Sequence, residues 1–63
     1  MDLNINANII DPDGFYKELI DSQRQMNEAE AALMNCKLVL LLANHIGDRG
    51  ILKAALQKAG GKL

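Results

Sequence analysis

The sequence predicts an all-α protein, a small three-helix bundle preceded by an extended arm. Three observations predict it. Asp11-Pro12-Asp13 and Asn27-x-x-Glu30 both carry the chemistry of a helix start. The run Leu38-Val39-Leu40-Leu41-Leu42-Ala43 is apolar throughout, and at about 100° per residue its side chains point nearly all the way round a helix. Only residues 1–10 alternate polar and apolar like a strand, and a lone strand has nothing to pair with.

Residues 1–10 are therefore read as an extended arm, with Leu3, Ile5 and Ile9 free to lie along a helix or along a neighbouring molecule. Residues 11–63 form the single helical domain. Asp11 is a good N-cap, Pro12 suits the first helical position, and Asp13 faces the positive end of the helix dipole. The first helix is expected over about residues 12–25. Phe15, Tyr16, Leu19, Ile20 and Met26 share one sector of about 140°. Lys17, Asp21 and Arg24 lie opposite, at spacings that allow weak ion pairs.

The second helix is expected over residues 28–46. Asn27 and Glu30 supply its capping box, and the short link predicts that it runs antiparallel to the first. Glu30, Lys37 and Asn44 recur every seven residues and form one narrow polar stripe. The rest of its second half is apolar over an arc of about 280°. Gly47 is placed to end it. Asp48 then caps a third helix over residues 49–59, whose apolar face is Ile51, Leu52, Ala55, Leu56 and Ala59. Gly60-Gly61 stop it, leaving Lys62-Leu63 as a tail.

Sixty-three residues make one domain, marginal in stability because a chain this short buries only about 60% of its unfolded surface. No covalent staple is available. Cys36 is the only cysteine, and one cysteine with one histidine, His45, is too few for a structural zinc site. No metal and no cofactor is expected. The lone cysteine fits a reducing compartment, and no basic segment with an apolar stretch and cleavage site opens the chain. That predicts a cytoplasmic protein. The six-residue apolar run is too short to cross a bilayer, which takes about 20 residues.

The net charge of −1 hides an asymmetry. Residues 1–30 carry a balance of −5 and residues 31–63 a balance of +4. The two ends attract each other weakly, or the basic last helix meets an acidic partner.

Chemistry of its own is not expected. The one nucleophile–base pair on offer is Cys36 with His45, and nine residues of helix separate them by about 13.5 Å on opposite sides. Gly47 and Gly50 flank a helix start, but Asp48 there repels an anion. The Ala43…Gly47 spacing before a new helix is compatible with a helix-turn-helix. The exposed residues of the last helix, Lys53, Gln57 and Lys58, are few for phosphate binding, and the chain lacks a basic surplus.

The run Asn35-Cys36-Lys37-Leu38-Val39-Leu40-Leu41-Leu42-Ala43-Asn44-His45-Ile46-Gly47-Asp48, preceded by Asp13-Gly14-Phe15-Tyr16, resembles a small family of uncharacterised bacterial proteins known only as a domain of unknown function. The resemblance covers roughly residues 11–58, and its specific part is Leu40-Leu41-Leu42-Ala43-Asn44-His45-Ile46-Gly47-Asp48. The chain departs from the family pattern at Arg49-Gly50, where apolar residues are usual. A glycine in the first turn predicts a weaker third helix. The family is often encoded beside flavin-dependent hydroxylases of aromatic catabolism, so the resemblance implies an accessory role beside such an enzyme.

The expectation is a non-enzymatic interaction protein, one that self-associates, serves a larger oxygenase as accessory subunit, or both. The alternative is a small helix-turn-helix nucleic-acid binder. Helices that flank the middle one on two sides leave part of its arc in water, so the contact surface is expected at Leu38, Leu41, Leu42, Asn44 and His45. No membrane partner is expected.

Overall fold

The computed structural model describes residues 2–61. Met1 of the expected arm and Lys62-Leu63 of the expected tail lie outside the described residues. Three helices and no strand occur among the described residues: α1 (Pro12–Gln23), α2 (Glu28–Ile46) and α3 (Arg49–Gly60).

Each helix starts where a side chain can replace the missing backbone acceptor. Asp11 accepts the Gly14 N–H at 3.2 Å, with Pro12 in the first turn. Asp11 itself sits in the left-handed region at φ 52°, which aspartate tolerates better than most residues. At α2 the capping box is complete: Glu30 N–H donates to Asn27 Oδ1 at 2.9 Å and Asn27 N–H donates to Glu30 Oε1 at 3.0 Å. At α3, Ile51 N–H donates to Asp48 Oδ1 at 2.9 Å.

Gly47 ends α2 at φ 75°, donating its N–H to the Ala43 carbonyl at 2.9 Å. The strained left-handed conformation explains the glycine. Gly50 answers to a close approach. A Cβ there would lie 3.1 Å from Asp48 Oδ1, the oxygen that caps α3. The glycine that the sequence marks as a weak point in the first turn thus leaves room for the cap, and α3 runs one residue beyond its expected end. α1 stops at Gln23, short of the expected residue 25. The Arg24 N–H turns to the Asp21 carbonyl at 3.3 Å and the Met26 N–H to the Gln23 carbonyl at 3.0 Å, a tight turn that leads into Asn27.

Packing is sparse. α3 folds back on α2, and α1 meets α2 near the turn that joins them. There Gln23 Nε2 donates to Asn35 Oδ1 at 2.6 Å, and Ser22 Oγ reaches Met34 Sδ at 3.8 Å. Elsewhere on α1 Leu19 is half-buried, while Phe15, Tyr16 and Ile20 are exposed. The expected arm is present as an irregular segment without strand pairing, held locally by the Asn6 N–H donating to Asn4 Oδ1 at 2.9 Å. The radius of gyration is 13.4 Å, against about 11 Å for a compact chain of this length.

Candidate interaction surface

Ile51 is the one buried residue among those described, at 8% exposure. It sits in the first turn of α3, where Asp48 anchors the helix against the end of α2. Leu52, Ala54 and Ala55 are half-buried beside it. Between the two helices lies an open groove of about 440 Å³, lined by apolar side chains including Val39, Leu42 and Ile46 of α2 and Leu52 and Leu56 of α3.

α2 contains no buried residue. Leu40 is 70% and Leu41 69% exposed, and Leu33, Val39, Leu42 and Ile46 are exposed as well. Burying one such side chain is worth about 1.5–3 kcal/mol, so this helix holds much of the chain's unused stabilisation. Its covered positions are Ala31, Met34 and Leu38 along one line and Ala43 on another, all half-buried. Met34 lies on the side that faces α1, and Ala43 lines the α3 groove.

The residues singled out from sequence divide accordingly. Leu38 falls on the half-buried line with Met34. Leu42 belongs to the α3 groove and is still exposed. Leu41, Asn44 and His45 are exposed on the outside of α2. The structure therefore keeps these five on one helix but not on one face. Sequence reasoning missed Leu33 and Leu40. They lie beyond the Glu30–Lys37–Asn44 stripe from Leu41, on the far side of α2 from α1. Their spacing of seven residues was the available signal.

Nothing in this region assembles reactive groups. Cys36 is exposed and unpaired, and no cluster of three or more metal-ligating side chains occurs among the described residues. The clearest electrostatic perturbation lies away from α2. Lys17 at 2.8 Å, and then Arg24 at 2.5 Å, hold the Asp21 carboxyl below its ordinary range.

α2 is, by length and composition, a helix that could cross a membrane. Lys37 stands at its midpoint, however, and a lysine at the centre of a bilayer costs about 2.5–3.5 kcal/mol even on the most permissive scale. An apolar helix with a charged stripe suits a protein contact with a wet rim better.

No curated protein and no solved structure matches the chain. One family does: its sequence pattern matches residues 3–61, nearly the whole chain, and its description is "Protein of unknown function (DUF2783)". The chain, with its three capped helices and uncovered middle helix, belongs to that family.

Proposed function

We propose that this protein is a non-enzymatic helical adaptor. It covers α2 with another polypeptide and serves as accessory subunit to a flavin-dependent aromatic hydroxylase. The observation that carries the reading is the exposure of α2. The most apolar helix of the chain has no buried residue and one side open to water, with Leu40 and Leu41 each more than two-thirds exposed. Apolar surface of that extent usually marks a contact. The choice of partner rests on the family resemblance, which implies the company of such hydroxylases. Leu41, Asn44 and His45 form the outer edge offered to that enzyme, with Leu38 and Leu42 behind them.

The helix-turn-helix reading has less support. Asp48 caps α3 and would face the phosphates there, and Lys53 and Lys58 alone are a thin basic face. The reading is tested by titrating the purified chain into a purified flavin-dependent aromatic hydroxylase from the same source and following co-migration by size. A stoichiometric complex that Leu41→Glu weakens is the expected result. No co-migration at tens of micromolar overturns the choice of partner.

A further inference from the structure

We propose that the face of α2 turned away from α1 pairs with the same face of a second copy of this chain. The two helices run antiparallel about a two-fold axis level with residue 38. The proposal rests on the reading of α2 as a contact helix and names one occupant for a face separate from the Leu41 edge.

Ala29, Leu33, Cys36, Leu40 and Ala43 follow one another at intervals of four, three, four and three residues. That spacing draws a single seam along a helix. Leu33, Cys36 and Leu40 are exposed, and so is Ala29. α1, which reaches Met34 and Asn35 on the opposite side, leaves the seam bare, and α3 touches only its end, where Ala43 is half-buried.

The seam alternates large and small side chains, and this sets the direction of pairing. With the axis level with residue 38, Leu33 meets the partner's Ala43 and Cys36 meets the partner's Leu40. These two layers and their two-fold mates each join one leucine to one small residue, so the helices stay evenly spaced there; Ala29, at the end of the seam, falls opposite the partner's Gly47. A parallel pair would set leucine on leucine and cysteine on cysteine, alternately too wide and too narrow.

Charge agrees with the same direction. The first turn of α2 carries Glu28 and Glu30, its last turn carries His45, and Arg49 follows. Antiparallel pairing keeps the two acidic first turns apart and opposes the helix dipoles; beside Glu28 and Glu30 it brings the partner's Arg49 together with the partner's Asp48, whose carboxylate caps α3. Parallel pairing would put the acids side by side.

The chain as a whole exposes more surface than a packed monomer of its size, and the bare face of α2 is one part of that excess. The chain exposes 5949 Å², whereas a compact monomer of 6.9 kDa exposes about 4,000 Å². The extended arm accounts for part of the difference and the bare helix faces for the rest. The excess of about 1,900 Å² is larger than the roughly 800 Å² per partner of a standard interface.

The test combines sedimentation equilibrium of the full chain with mild oxidation. The native chain should sediment at twice 6.9 kDa. Leu41→Glu should remain a dimer, while Leu40→Glu should raise the dissociation constant by about a hundredfold or more, because each dimer loses two buried leucines. Leu40→Cys, which keeps the helix, should oxidise quickly to a covalent dimer through Cys36 and the partner's new cysteine. The native chain should not. Its two Cys36 residues are offset by about 6 Å along the axis, which with the helix separation exceeds disulfide reach. A rapid native disulfide dimer, a Leu40→Cys product linked only within one chain, or a dimer indifferent to Leu40→Glu would overturn the seam. A folded native monomer would overturn self-pairing. If that monomer still binds the hydroxylase, the accessory reading stands; if it binds neither enzyme nor copy, both fall. A monomer that instead co-sediments with phosphatidylcholine–phosphatidylglycerol vesicles would overturn the proposal in favour of a membrane surface.

Discussion

α2 and α3 make an instructive pair. α2 is the longer and more apolar helix, yet none of its residues is buried. α3 is shorter, carries Arg49, Lys53 and Lys58, and holds Ile51, the one buried side chain among the described residues. The difference comes from neighbours. α3 has one apolar face and one helix to lay it on. α2 has apolar side chains over most of its circumference, and its two neighbours half-cover only Ala31, Met34, Leu38 and Ala43. Hydropathy states how much surface a helix needs covered, and the number of packed neighbours decides how much is covered. In this chain the two diverge most on α2, which is why its function is read there.

The comparison can be broken most severely on the bare side. In the associated protein Leu40→Glu should cost more than about 3 kcal/mol per dimer, since two leucines leave a dry seam and two charges enter it. In a chain held dilute enough to be monomeric, Leu40→Ala should change stability by less than about 0.5 kcal/mol, as for an open surface site. Global unfolding in urea, at high and low chain concentration, separates the two. On the covered side, Ile51→Ala should cost about 2 kcal/mol, near the low end for a core isoleucine, because few atoms surround it. An effect of Leu40→Ala that exceeds that of Ile51→Ala at every dilution would show the monomer to be better packed on α2 than described here.

Smaller changes sharpen the comparison at the helix ends, which are satisfied within one chain. Asn27→Ala and Asp48→Ala should each cost about 1 kcal/mol through a lost cap. Gly47→Ala should cost about 1–2 kcal/mol, since alanine must enter the left-handed region. Thermal or urea denaturation measures all three. They should be nearly independent of which face of α2 is covered.

The smallest effect is that of pH on α1. Lys17 and Arg24 lower the Asp21 pKa from its ordinary value of 3.8. A carboxylate depressed in the folded state contributes stability above its unfolded pKa and loses it as pH falls through the folded value. The helicity of α1 should therefore decline slightly below about pH 4, and Asp21→Asn should abolish that step. The site is open to water, so circular dichroism should register a shallow change.

The helix starts were the legible part of the fold. Asp11, Asn27 and Asp48 are local signals, each acting within three residues, and the structure uses all three. Gly47 was legible for the same reason. Gly50 was not, because its use depends on where the Asp48 carboxylate lies. The tertiary arrangement was only half legible. The apolar faces of α1 and α3 were plain in the sequence, and α3 packs with the first part of its own, Ile51, Leu52 and Ala55, while Leu56 and Ala59 stay exposed. α1 covers little of its expected sector: Leu19 is half-buried, while Phe15, Tyr16, Ile20 and Met26 stay exposed. The candidate surface followed suit. The sequence pointed to α2 and to its polar stripe, but which side of the stripe stays bare depends on where the neighbouring helices go. Leu38 accordingly proved half-buried, while Leu33 and Leu40 proved open.

On the proposed reading, a second polypeptide covers α2. The most direct test is thermal unfolding of the full chain over a hundredfold range of concentration, with mass measured at each step. A chain whose middle helix is covered by a second copy should show a Tm that rises with concentration and a helical signal that fades on dilution together with the dimer mass. A sharp transition at one fixed Tm, with full helicity and the mass of a single chain at every concentration, would contradict the account.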